Sequence, residues 1–286
     1  MDVAALDLGC DADLRFSVEY VREDGMARGV PLAVCAGERF EDAVPVRSFR
    51  WAKGSAHFPG SWWSSTTLAH VGFESWLERD HVMLMDFDPG VTGIASQPFW
   101  LHWHDEDGRP RRHAPDFFAR RADGGGVVVD VRPDDRIPAQ DAEVFRVTAA
   151  ACGQAGWEFR RAGTIDPVVR ANVRWLSRYR HQRCRREPAA TALLEAFTAG
   201  RPLLGGAALA GDLAAVLPVA YHLLWRHELS CDLSVLLDAA SMTWRSLEGT
   251  RDDRGGRDQG RRPDHHRRRA AGGAGRIGDG GPFRRR

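Results

Sequence analysis

A run of β-branched residues in the middle of the chain most strongly constrains its fold. Residues 127–131 contain four valines after a glycine-rich turn, with no alternation of apolar and polar positions. Such a run predicts a strand that is buried on both faces of a sheet. Asp130 and Arg132 lie two apart and therefore project to the same side of that strand. A buried carboxylate is costly unless it is paired or metal-bound, so this strand also predicts a functional site.

The elements predicted around this strand form an α/β arrangement. Upstream, helical spacing of apolar residues predicts a helix over residues 66–86, with Thr66 or Thr67 as its N-cap. Short strands are predicted over residues 91–94, 99–104 and 115–119, and a helix over 139–156 precedes a strand over 157–160. The order helix, several strands, helix, strand predicts a mixed sheet flanked by helices.

Composition divides the 286 residues into four predicted regions. We expect a loosely packed leader over residues 1–45 and an α/β catalytic domain over 46–163. A small helical or winged-helix domain follows over 164–250, with helices predicted over 167–179, 189–198, 212–228 and 233–237. The tail over 251–286 has twelve Arg, five Asp and almost no apolar residues, which predicts disorder.

Charge and cysteine content exclude several classes of protein. The tail carries a net charge of +7, so the chain's net charge of +1 leaves −6 for residues 1–250, and any nucleic-acid binding must use local patches. The five cysteines are far apart and odd in number, which argues against a zinc ribbon or a disulfide framework. With no secretory signal and no apolar run of roughly 18 residues, we expect a cytoplasmic protein without a membrane partner.

Acidic residues on neighbouring elements predict a metal-dependent site. Asp116, on the strand over residues 115–119, could meet Asp130 at the edge of the sheet. Two or three converging carboxylates form an oxygen-only site that suits Mg²⁺ or Mn²⁺, and such an ion would polarise a phosphodiester. The alternatives that remain open are an ion pair between Asp130 and Arg132 and a solvated helix face for Glu78. Glu74, one helical turn earlier, either assists the site or is a solvated carboxylate.

Several segments resemble known nucleases. Pro115-Asp116, followed fourteen positions later by Asp130-x-Arg132, is a variant of the Pro-Asp…(Asp/Glu)-x-Lys pattern of restriction-like nucleases. Over about residues 49–237 the chain resembles the TnsA family, the endonuclease subunits of heteromeric transposases. The resemblance rests on residues 77–78, 97–98, 115–117, 129–133 and 165–176, which follow the family's order and spacing.

This resemblance implies a restriction-endonuclease-like fold, a Mg²⁺ (or Mn²⁺) cofactor and cleavage of one strand at each transposon end. It implies three partners: transposon-end DNA, an integrase-like transposase subunit and a regulatory ATPase. Glu78, Asp116 and Asp130 match the family's metal-binding and catalytic acids, and Arg132 matches the position normally held by Lys. Asp130 stands where Glu or Gln is usual, and Arg132 stays protonated and cannot act as a base, so reduced activity is one expectation.

Three functions therefore remain open: the endonuclease subunit, a catalytically impaired DNA-binding scaffold of the same complex, and a stand-alone restriction or repair nuclease. A separate basic helix bears on DNA binding. Arg170, Arg174 and Arg178 recur every four residues and form one stripe that either grips phosphates or is a solvated face. Aromatic and basic residues over 47–65 either stack on nucleic acid or close the core, and we favour the core.

Overall fold

The computed structural model describes residues 16–47, 58–135 and 137–246, and the statements below concern those residues. Its strands are β1 (Ser17–Val21), β2 (Ala27–Pro31), β3 (Gly60–Trp63), β4 (His70–Phe73), β5 (Val91–Ser96), β6 (Trp100–His104), β7 (Pro110–His113), β8 (Phe117–Arg121), β9 (Gly126–Val131), β10 (Glu158–Ala162), β11 (Arg201–Pro202), β12 (Leu229–Cys231) and β13 (Met242–Arg245). Its α-helices are α1 (Trp76–Phe87), α2 (Ala139–Ala155), α3 (Pro167–Leu176), α4 (Glu187–Ala196), α5 (Leu203–Ala210) and α6 (Leu213–Trp225).

Some predictions fall outside the described residues. These are the first fifteen residues of the leader, residues 48–57 of the aromatic and basic segment, and the disordered tail over 251–286. The boundaries of the four predicted regions stay predictions.

The valine-rich strand β9 lies inside a mixed sheet of order β10-β9-β8-β5. It pairs antiparallel with β8 and parallel with β10. The parallel pair needs a crossover connection, which α2 provides. All six residues of β9 are buried, as its unbroken run of valines predicts. The predicted mixed sheet flanked by helices is therefore confirmed.

The two faces of this sheet pack on different elements because strand residues alternate between faces. Val128 and Phe118 lie in a cluster with residues of α2 and of the sheet formed by β2, β1, β6 and β7. Val127 and Val129 lie in a second cluster with Val82 of α1. The sheet is thus covered on both sides.

The described part of the leader is tightly packed, so the expectation of loose packing is wrong for residues 16–44. Strand β1 pairs with both β2 and β6, and its alternating residues Phe16, Val18 and Tyr20 are buried. Phe40 packs edge-to-face against Tyr20 and Trp157, with ring centroids 4.9 and 5.4 Å apart. A short alternating stretch is stabilised here by pairing with a strand of the α/β region.

The N-cap of helix α1 lies eight or nine residues later than the N-cap predicted at Thr67 or Thr66. Its N-cap is Ser75, whose side chain accepts the Glu78 backbone N–H at 3.2 Å. Residues 70–73 instead form β4, paired with β3. The threonines belong to a turn whose backbone N–H groups bond elsewhere, at Thr66 to the Asp86 carboxylate at 2.8 Å.

Asp86, near the end of α1, is fully buried and holds this turn in place. Its carboxylate accepts hydrogen bonds from Trp62 Nε1 (3.0 Å), Ser64 Oγ (2.8 Å), the Ser65 N–H (3.1 Å) and the Thr66 N–H (2.8 Å). A buried carboxylate is tolerated when several donors replace its water, and Asp86 has such donors from the end of β3 and the turn that follows it.

The C-terminal elements form the predicted winged-helix arrangement. The order is α4, β11, α5, α6, β12, β13, and the strands form one antiparallel sheet of order β11-β13-β12. The predicted helix over 233–237 is wrong, because these residues form a turn and an irregular connection whose Leu233 and Val235 carbonyls accept hydrogen bonds from the Asn172 amide. Helix α5 is not predicted from the sequence, because its residues Gly205 and Gly206 have low helix propensity.

Helix α1 also packs on the C-terminal helices. Met83 lies in one hydrophobic cluster with Val173, Leu176, Leu193 and Leu223. Trp225 Nε1 donates to Ser65 Oγ at 2.9 Å. Among the described helices none is by itself both long and apolar enough to cross a membrane; α5 and α6 reach that length and composition only as a pair bent by 120°.

Candidate active site

Asp116 and Asp130 lie opposite each other where β8 and β9 meet. The register pairs Phe117 with Val129, so the next pair outward is Asp116 with Asp130. The Asp116 N–H donates to Asp130 Oδ1 at 3.3 Å, and the Val131 N–H donates to Asp116 Oδ2 at 2.7 Å. Both carboxylates are buried, and the backbone of the two strands orients them.

The environment of Asp116 disfavours its negative charge. Burial raises the pKa of Asp116 well above its usual value, and repulsion from Asp130 and Glu78 raises it further. The Val131 N–H and the Arg132 charge oppose this pKa rise without cancelling it. A further positive charge would therefore stabilise ionised Asp116.

Glu78 forms a capping box at the start of α1. Its Oε1 accepts from Ser75 Oγ at 2.9 Å and its Oε2 accepts the Glu74 N–H at 2.7 Å, while Ser75 caps the Glu78 N–H. Glu78 is 8% exposed, so the alternative of a solvated helix face is excluded. Burial raises the pKa of Glu78. The negative charge of Glu78 in turn raises the pKa of Asp116, so the two carboxyl groups influence each other's ionisation.

Arg132 follows β9 and supplies a cation to this group. Burial lowers the pKa of Arg132, but the charges of Asp116, Asp141 and Asp130 raise it more. Its Nε donates to Asp141 Oδ2 at 3.1 Å and its Nη1 to the Val131 carbonyl at 3.0 Å. The guanidinium is therefore shared between the candidate site and α2.

His113 is a neighbour of the site that the sequence analysis does not assign. Its Nε2 lies 3.0 Å from Asp130 Oδ1 and 2.9 Å from Oδ2, at the end of β7. No known sequence pattern predicts a functional histidine three residues before Asp116. The available signal is physical: a buried Asp130 requires a partner.

Arg47 and Gln97 form a second set of contacts that the sequence does not predict, and these contacts reach Glu74 and the backbone of Asp116. Arg47 Nη2 donates to Glu74 Oε2 at 2.7 Å and, with the Gln97 amide oriented to satisfy its bonds, to Gln97 at 2.9 Å. Gln97 has a φ of 45°, in the left-handed region, and its N–H donates to the Asp116 carbonyl at 2.9 Å. Glu74 is thus half-buried and paired, and it reaches Glu78 through its backbone.

The predicted arginine stripe is only partly free for phosphates. Arg174 Nη2 donates to both carboxylate oxygens of Asp80 at 2.9 Å. The Arg178 guanidinium lies 4.9 Å from the centre of the Trp175 ring. Arg170, on α3, is half-buried.

The acids supply the ligand type that Mg²⁺ prefers. Within the described ranges, no three His, Cys, Asp or Glu side chains form a group arranged to hold a metal ion. Mg²⁺, however, is commonly held by one or two carboxylates together with water and substrate phosphate. The all-oxygen pair Asp116 and Asp130, with the raised pKa of Asp116, fits such an ion.

A mixed sheet with buried acids on adjacent strands and helices on both faces is consistent with a restriction-endonuclease-like nuclease. Residues 88–162 match the family model of the TnsA-like endonuclease N-terminal domain. This part of the chain is thus similar to a TnsA-like endonuclease N-terminal domain, as the motifs predict. The match spans β5 to β10 and contains Asp116, Asp130 and Arg132, whereas Glu78 precedes it. No curated protein matches the chain.

Proposed function

We propose that this chain is a metal-dependent DNA endonuclease subunit of a heteromeric transposase that hydrolyses one strand at each transposon end. The observation that carries the proposal is the pair of buried carboxylates, Asp116 and Asp130, within the segment that matches a TnsA-like endonuclease. Its partners would be transposon-end DNA, an integrase-like transposase subunit that joins the other strand, and a regulatory ATPase.

Each residue of the site has a distinct task in this proposal. Mg²⁺ or Mn²⁺, when bound, would supply Lewis acidity toward the phosphodiester and lower the pKa of the attacking water. Asp116 and Asp130 would hold the ion, with Glu78 in the same group. His113 and the Val131 N–H keep the two carboxylates oriented. Arg132 stabilises negative charge on the phosphate, because a guanidinium does not accept a proton.

A catalytically impaired DNA-binding scaffold of the same complex is the second candidate. One observation favours it: a permanently protonated Arg132 stands at the Lys position and pairs with Asp141. A stand-alone restriction or repair nuclease has the same site chemistry and differs only in its partners.

Strand nicking of a transposon-end duplex tests the proposal, with Mg²⁺ or Mn²⁺ and with or without the partner transposase. Asp116→Asn and Asp130→Asn should each lower the nicking rate by roughly 10² or more, because each removes a charged ligand. Both should also weaken Mn²⁺ binding in calorimetric titrations with DNA present. The matched control is Asp123→Asn, an exposed aspartate in the turn between β8 and β9, which should nick as wild type does.

The outcomes separate the candidates. Equal nicking by wild type, Asp116→Asn and Asp130→Asn would remove these acids from the reaction. A wild type that binds the duplex and never nicks it, with every partner present, supports the scaffold. Nicking that needs no transposase supports the stand-alone nuclease.

A further inference from the structure

Helix α1 carries an exposed aromatic group in its first turn, which also contains the buried Glu78. Trp76, two residues before Glu78, is 52% exposed, and Phe58, also 52% exposed, stacks on it with ring centroids 5.8 Å apart and planes 25° apart. The Arg79 guanidinium lies 4.6 Å from the centre of the Trp76 ring. Large exposed aromatic rings paired with a cation, on the helix that carries a candidate site acid, need an explanation other than the core.

This group continues onto α3 through one buried acid. Asp80, 3% exposed, pairs with Arg79 at 2.6 Å and with Arg174 at 2.9 Å. Two guanidiniums share one carboxylate, so one positive charge remains uncompensated at this junction.

The series ends in a second aromatic group. Arg178 lies over Trp175, which is 40% exposed. Trp175 in turn packs against Tyr179 and Tyr221, at ring-centroid distances of 6.1 and 5.8 Å. We call this series the α1–α3 strip, and its members are Phe58, Trp76, Arg79, Arg174, Trp175 and Arg178.

The chemistry of the α1–α3 strip matches a nucleic-acid strand with unpaired bases. Aromatic faces interleaved with arginines bind single strands by stacking on bases and pairing with phosphates. A duplex offers the phosphates but keeps its base faces covered by their neighbours. Because residues 1–250 carry a net charge of −6, attraction to DNA must come from a local patch of this kind.

We propose that the α1–α3 strip binds unpaired bases of the DNA strand next to the phosphodiester that is cut. This inference rests on the proposed nuclease function for the position of the cut and names the substrate class: a DNA end with a short single-stranded segment. Stacking at Trp76 would hold that strand at the first turn of α1, the turn that also carries Glu78.

Equilibrium binding in the presence of EDTA tests the proposal without any cleavage. The probes are a fluorescently labelled blunt duplex and the same duplex with a five-nucleotide single-stranded overhang. Wild type should bind the overhang DNA more tightly. Trp76→Ala should weaken that binding about tenfold, the loss expected for one stacked base, and leave the blunt duplex within twofold. Trp76→Phe should retain most of the affinity.

Trp244→Ala is the matched control, since Trp244 on β13 is 43% exposed and lies outside the strip. It should bind both probes as wild type does. Arg178→Ala provides a second variant, with a loss of about threefold and a shallower salt dependence because one phosphate contact is removed.

Failure of this inference is distinguishable from failure of the proposed nuclease. Equal overhang binding by wild type, Trp76→Ala and Trp244→Ala would overturn the strip, even if nicking depends on Asp116. So would a Trp76→Ala variant that loses the partner transposase but keeps its DNA affinity. The binding assay contains EDTA and needs no cleavage, so an absence of nicking activity would leave the binding result intact, and the exposed control Asp123→Asn should bind the overhang as tightly as wild type.

Discussion

Replacement of Arg132 separates its catalytic role from a structural one. Its ion pair with Asp141 joins side chains that are 41% and 31% exposed. Pairs with that much solvent contact contribute at most about 1 kcal/mol to folding. A cation that stabilises charge in the transition state contributes more, because removing such a partner typically costs about 10²–10³ in rate, or roughly 3–4 kcal/mol. Arg132→Ala should therefore lower the nicking rate far more than it lowers stability.

The assay pairs single-turnover nicking with urea unfolding of the same variants. We expect Arg132→Ala to nick about 10² more slowly and to lose no more than about 1 kcal/mol of unfolding free energy. Arg132→Lys should nick as fast as wild type or faster, since Lys retains the charge and matches the family pattern. The control Asp141→Asn removes the same ion pair and should leave the nicking rate within about threefold.

Two results would refute this reasoning. If Arg132→Ala nicks as fast as wild type, Arg132 is a structural partner of Asp141 and not of the phosphate. If wild type is inactive and Arg132→Lys nicks, the natural chain is a decayed nuclease and the scaffold function replaces the proposed one.

Two further predictions concern stability, both measured by urea unfolding. Asp116→Asn should raise the free energy of unfolding by about 1 kcal/mol at pH 7, because burial and repulsion raise the pKa of Asp116 and so destabilise its ionised form in the folded chain. This gain should shrink as the pH falls through the ordinary pKa of an aspartate and vanish below about pH 3, where the carboxyl is protonated in the folded and the unfolded chain. Asp86→Asn should lower the free energy of unfolding by about 2–4 kcal/mol. In either orientation of the amide, its buried NH₂ group would face hydrogen-bond donors instead of acceptors, for example Trp62 Nε1 and the Ser65 N–H. The control Asp88→Asn, at an exposed position, should cost less than about 1 kcal/mol.

Local sequence predicted the elements whose signals are local. The valine run of β9 and the Pro-Asp…Asp-x-Arg spacing lead directly to the central strand and to the adjacent acids Asp116 and Asp130. The predicted start of α1 is wrong because Thr66 and Thr67 resemble helix caps, whereas the turn that contains them is held by Asp86, twenty residues away from Thr66. Such long-range hydrogen bonds leave no periodic signal.

The supporting residues of the candidate site were missed for the same reason. His113 meets Asp130 only because the antiparallel pairing of β8 and β9 brings Asp130 back toward the start of β8, and Arg47 meets Glu74 across 27 residues of sequence. Gln97 lay within a recognised motif, yet its contact with Arg47 required the fold. The spacing of motif residues therefore predicts the positions of Asp116 and Asp130, whereas the residues that contact the site acids are found only in the folded structure.

If the chain binds DNA as proposed, the winged-helix module would contribute to that binding indirectly. Side chains that read base edges are mainly Arg, Lys, Asn and Gln, and helix α6 contains none of these over Leu213–Trp225. That helix is apolar and largely buried, so it cannot serve as a base-reading helix. Its packing instead supports α3, whose Val173 shares a cluster with Met83 of α1, and whose Arg174 meets Asp80. The module thereby holds Arg174 beside α1, and under the proposals above its contribution to DNA binding would lie in the α1–α3 strip.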